Sequence, residues 1–127
     1  VSSLQVQPGT VHRAARLDAR LWAWQRLSAA VLALCVLVHL AVMIHAVRGG
    51  LSAAEILGRT QGSWAFAGFY ATFVLACAVH VPLGLANIAR EWWGWSPRAA
   101  RRGAVVSAAV LLALGLRAVW AVFTAGA

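Results

Sequence analysis

The imidazole at position 80 sits in LACAVHVPLG, residues 75 to 84, an apolar run that otherwise reads as a membrane helix. It lies eleven residues before Glu91, ~16 Å along a helix from that polar end. Water does not satisfy a side chain at that depth, so a partner, a cavity or a cofactor must. Ala76 precedes it by four residues and Gly84 follows it by four, which puts two small residues on the same helical face, one turn to either side. A flat recess with an imidazole at its centre suits a porphyrin plane, because neutral imidazole is a standard axial ligand and larger neighbours would collide with the macrocycle. The same face suits another tetrapyrrole such as a chlorophyll. It equally suits a histidine hydrogen-bonded across helices whose small neighbours serve close packing. Spacing alone leaves the three open.

A second histidine bears on the choice. His39 lies thirteen residues beyond Arg26, ~20 Å into its helix and within a turn or two of the depth of His80. A bis-histidine site between the two helices is therefore one expectation, and a site made by two copies of His80 across a symmetric dimer is another. Pro82 removes a backbone donor beside His80 and can bend the helix. Arg26 stands just inside the first span, where a cation with several donors suits carbonyls or carboxylates, and Trp22, Trp92 and Trp93 can wall an apolar pocket beside it. Against that stands plain interfacial anchoring by an arginine and a tryptophan belt. His45, near the other boundary, reads as structural, and Arg117 as an arginine that snorkels to the surface. Cys35 and Cys77 read as packing residues.

The elements that position these groups are membrane spans. Of 127 residues, 62% are hydrophobic, and the mean hydropathy is +0.77, well above soluble domains. Three stretches are long enough to cross a hydrocarbon core of ~30 Å: about 21–47, 63–92 and 104–124. The expectation is an all-α integral membrane three-helix bundle, residues 21–127, preceded by a tail over residues 1–20. The first span is too long and too far from the start for a secretory signal.

All 11 basic residues are arginines, against Asp18, Glu55 and Glu91. Arg13, Arg16, Arg20 and Arg26 precede or open the first span, and Arg90, Arg98, Arg101 and Arg102 lie between the second and third. Only Arg48 and Arg59 fall in the first connection. The positive-inside bias then puts the N-terminus in the cytoplasm and the C-terminus outside, as in a bacterial inner membrane protein. Trp22, Trp24, Trp92, Trp93 and Trp95 fall at the same interface, with Trp64 and Trp120 at the other. The net charge of +8 is thus topological, with some attraction to anionic lipid, and a nucleic-acid partner is excluded for want of a soluble basic surface. No CxxC, GxGxxG, phosphate loop or Ser/His/Asp signature occurs. Between the spans, Arg48-Gly49-Gly50 ends the first helix, Leu51 to Leu57 suits a short interfacial helix capped by Ser52, and Pro97 can open the last helix. Residues 1 to 10, with Pro8 and Gly9, read as a tail that orders on a partner.

QRLSA at 25 to 29, VHL at 38 to 40 and HVPLGLANIAREWWG at 80 to 94, in that order, resemble the membrane-anchor cytochrome b subunits of succinate dehydrogenase and fumarate reductase. The resemblance runs from about Trp22 to the end of the third span. It implies an anchor that docks an FAD flavoprotein and an iron-sulfur subunit and passes electrons to or from quinone, with the dicarboxylate chemistry left to those partners. In that family a His-Arg-x-Ser/Thr-Gly motif opens helix one. Arg26 and Ser28 match it, whereas Gln25 replaces the histidine, Ala29 the glycine, and Trp22 a quinone-binding serine. The resemblance makes His80 an axial ligand of heme b in an intact His-x-x-x-Gly with Gly84. It also implies a quinone pocket of Arg26, Ser28, Trp22, Glu91 and Trp92, with Arg26 shared with heme propionates. Glu91 and Trp92 stand where the family's small anchor has Asp-Tyr, so the chain mixes features of both anchor types. A second anchor subunit or a second copy of the chain is the expected companion.

Overall fold

A computed structural model describes residues 8–125, and among them every regular element is helical. In chain order these are α1 (Pro8–Gly49), α2 (Ala53–Thr60), α3 (Trp64–Trp92) and α4 (Pro97–Thr124). Three of them, α1, α3 and α4, are long and apolar enough to cross a membrane, as the hydropathy predicted. The element α2 is the expected short helix, shifted slightly toward α3.

The sequence expectation fails at the beginning of α1. Its 42 residues make a rod of about 63 Å, twice the hydrocarbon thickness. The stretch expected to be a tail continues the transmembrane helix outward instead, exposed at every residue from 9 to 24. Pro8 opens the helix, where its missing N–H costs nothing, and the alanines, leucines and arginines that follow are good helix formers. Residues 1–7 lie outside the described part of the chain.

The turns follow from their residues. Gly50, at φ 110°, supplies the backbone conformation that ends α1. Arg59 Nη2 then donates to the Gly50 carbonyl at 2.7 Å and ties α2 back to that end. Ser52 and Glu55 form a reciprocal capping box at the start of α2, which satisfies two otherwise orphaned amides. Ser63 caps α3 through the Phe66 amide. Ser96 caps α4 through the Ala99 amide at 3.2 Å, with Pro97 in the first turn as expected.

Both α1 and α4 pack on α3, and scarcely on each other. Along α1 the positions withdrawn from the surface include Gln25, Ser28, Leu32, Cys35, His39, Val42 and Ala46. Their spacing alternates three and four, the seam of helices that cross at a shallow angle. The buried residues are small: Ser28, Cys35, Ala46, Ala76, Ala78, Ala89 and Ala100. Close backbone approach, rather than interlocked large side chains, holds such an arrangement in lipid. Between α3 and α4 the approach is closest at Gly115, where an added Cβ would come within 2.5 Å of a Val74 methyl. Trp64 and Phe123, with ring centroids 4.7 Å apart, close the far end of that pair.

Candidate functional site

The α1–α3 seam carries the polar groups that lie inside the spans. Ser28, buried to 5% exposure, turns its hydroxyl back to donate to the Gln25 carbonyl at 3.1 Å. The same Oγ lies 3.4 Å from His80 Nδ1. One turn along α3, the Gln25 amide nitrogen reaches to 3.5 Å from where a Cβ of Gly84 would stand. Gln25 Oε1 is buried with no hydrogen-bond partner. Gln25, Ser28, His80 and Gly84 thus form one cluster across the two helices.

This geometry corrects one expectation. The stripe of Ala76, His80 and Gly84 is not an open recess within the chain: α1 covers it with Gln25 at Gly84 and with Ser28 at His80, and Ala76 is buried. The glycine is not forced by this packing, because 3.5 Å is an ordinary van der Waals contact. His80 itself is only half-buried, so the residue keeps part of its surface outside the seam.

His39 is elsewhere. Its Nδ1 lies 3.4 Å from the Tyr70 hydroxyl, its ring meets Tyr70 edge-on at 6.0 Å, and Phe73 stacks on it at 6.3 Å. Ser28, the neighbour of His80, is eleven residues before His39 on α1, an axial offset of about 16 Å. Two axial ligands of one iron must approach far more closely than that, so the intrachain pairing of His39 with His80 is not formed. Tyr70 was not singled out in the sequence; a polar-tipped aromatic three residues from Phe73 in a span was the available signal.

Arg26 stands over the Trp22 ring, 5.2 Å from guanidinium carbon to centroid, within the range of a cation–π contact. Both are exposed. Arg26 follows Gln25 and lies two residues before Ser28, so it is close to the level of His80. Glu91 instead lines a polar cleft of about 380 Å³ with Asn87, Arg90, Trp95 and Pro97. Those walls come from the end of α3 and the start of α4, so Arg26, Ser28 and Trp22 on α1 take no part in it, and Trp92, 81% exposed, is not among them. Glu91 thus shares this cleft with residues of α3 and α4 and not with Arg26, Ser28 or Trp22.

Both cysteines are free thiols, Cys35 buried and Cys77 half-buried, in keeping with packing. Arg117 is exposed on α4. Among the described residues no three His, Cys, Asp or Glu side chains gather into a ligand set.

Three apolar helices, a histidine clasped by a serine inside the bundle and an arginine–tryptophan pair beside it define an integral membrane subunit with a one-sided polar site. The chain belongs to the succinate dehydrogenase/fumarate reductase transmembrane subunit family, whose model matches residues 6–121. No curated protein and no solved structure matches it. Membership makes it a membrane anchor within a complex whose catalytic subunits are other chains.

Proposed function

We propose that the chain is the heme b-carrying anchor of a succinate:quinone oxidoreductase-type complex, set in a bacterial inner membrane with the arginine-rich end in the cytoplasm. The observation that carries this reading is His80: an imidazole inside the span, engaged through Nδ1 by Ser28 and only half-buried. The residues present fit one axial position of a heme, and His80 would hold it. Bound there, heme b supplies a one-electron carrier inside the membrane. A second ligand would come from another chain, either a distinct anchor subunit or a second copy, since His39 is held away by Tyr70 and Phe73.

Arg26 belongs to the same reading. It is exposed near the level of His80, so its guanidinium is available to heme propionates or to a quinone carbonyl, and Trp22 orients it. Glu91 and Trp92 join this pocket only across a subunit boundary. The flavoprotein and iron-sulfur subunits dock at the cytoplasmic end, where Arg13, Arg16, Arg20, Arg98, Arg101 and Arg102 are all exposed. The arginine bias and the tryptophan belt support this orientation.

The test is a reduced-minus-oxidised spectrum of the complex extracted from native membranes, for wild type and His80→Ala. Heme b bands in the first and their loss in the second, with the flavoprotein still copurifying, are expected. Wild type without a Soret band ends the heme reading, and an extract without flavoprotein ends the docking reading.

A further inference from the structure

The hydrogen bonds around Ser28 have a direction, and the direction selects a nitrogen. A serine hydroxyl has one proton and two lone pairs. The shorter of its two contacts, 3.1 Å, is to the Gln25 carbonyl, which only accepts. The proton is best placed on the shorter contact, to Gln25. What Ser28 offers His80 at 3.4 Å is a lone pair, and the pair bonds only if His80 carries its proton on Nδ1. The neutral ring has one proton to place, so Nε2 is left with its lone pair free.

We propose that Ser28 is a positioning residue for His80: it accepts from Nδ1–H, fixes that tautomer and presents Nε2 as the ligating atom. The inference rests on the heme reading above and gives Ser28 a part other than lining a quinone pocket. Its burial supports that part, because at 5% exposure the hydroxyl is turned into the seam. An imidazole that donates its remote N–H is both oriented and made more basic toward a metal, and loss of such a partner typically weakens binding by ~10–100-fold. On α3 the hydroxyl of Ser28 meets the His80 ring. It acts through the histidine.

Two measurements test this on the full chain, with Ser28→Ala and Ser28→Thr. The first is the ¹⁵N spectrum of the histidine rings in the ¹⁵N-histidine-labelled, heme-free chain in detergent, with His80→Ala assigning the signal. His80 in the Nδ1–H form is expected in wild type and in Ser28→Thr, and a mixed or Nε2–H form in Ser28→Ala. The second is heme occupancy and redox titration in the assembled complex. Ser28→Ala is expected to hold heme roughly tenfold less tightly, with the remaining heme easier to reduce, while Ser28→Thr behaves as wild type. The same tautomer in Ser28→Ala as in wild type, or unchanged occupancy and titration, overturns the proposal. Wild type that binds no heme fails the function reading instead, and the ring spectrum still decides the tautomer.

Discussion

His39 and His80 project into the same α1–α3 seam but about three helical turns apart, one beside Tyr70 and the other beside Ser28. They therefore have separate duties. Replacing His80 by Ala should abolish heme b absorbance, whereas replacing His39 by Phe should leave the spectrum intact. The aromatic ring preserves the stack on Phe73, and the change frees the Tyr70 hydroxyl at a cost of about 1–3 kcal/mol if it stays unpaired. Difference spectra of the two variants, read with the amount of assembled complex, decide this. Loss of heme in His39→Phe at normal assembly would contradict the register of the seam.

Depth explains why that register was hard to read in advance. In the sequence Arg26 and Glu91 both mark one membrane boundary, which puts the two histidines within a turn or two of the same depth. With Ser28 facing His80 in antiparallel helices, the residue facing Glu91 falls near position 17, so Arg26 lies roughly 13 Å deeper than Glu91. An arginine marks a boundary only to within the reach of its side chain and partner, and here the partner is the Trp22 ring. The spans themselves were legible because hydropathy over twenty residues averages out such local choices. So were the Ser52 and Ser96 caps, whose signals are local. The pairing of Ser28 with His80, fifty-two residues apart, depends on a rotation and a shift of α1 that no local pattern encodes.

The Arg26–Trp22 contact gives a second prediction. Arg26→Leu should keep the helix, the insertion and the docking of partners, because the side chain is exposed and outside the seam. Quinone-linked turnover should drop by an order of magnitude or more, about 1.4 kcal/mol per tenfold. Turnover with a soluble electron acceptor, which bypasses the membrane, should be unaffected. Equal loss in both assays would make Arg26 a residue of assembly rather than of the quinone site.

Packing between α3 and α4 gives a third. Gly115→Ala forces a methyl group against the branched Val74 side chain, which has little rotamer freedom to yield. Overpacking of this kind costs typically 1–3 kcal/mol. The midpoint of thermal inactivation of the detergent-solubilised complex should fall, and Val74→Ala in the same chain should restore it. Gly84→Ala, with only the Gln25 amide at contact distance, should be milder in the isolated chain.

A fourth concerns pH. The Glu55 carboxyl is held below the usual glutamate range, first by the Ser52 hydroxyl, then by the Ser52 amide, and also by Arg59. A lowered folded-state value means that the ionised form is the one the cap favours. The stabilisation of α2 is complete above the ordinary glutamate pKa of about 4.3 and is lost as pH falls through the lower folded value. The hydrogen-exchange protection of Ala53 to Thr60, taken relative to the intrinsic exchange rate at each pH, should fall on acidification in wild type. In Glu55→Ala that protection should be low already at neutral pH.

The small buried residues of the seam have a consequence for the cell. Among the described residues no large side chain is fully enclosed, and α1 and α4 flank α3 without closing on each other. Such a chain has edges in place of an inside. Its fold stability is then a property of subunit concentration as much as of sequence. A copy inserted without companions keeps its helices, which lipid enforces, and the clasp between Ser28 and His80, which lies within the one chain. What companions add is cover for those edges.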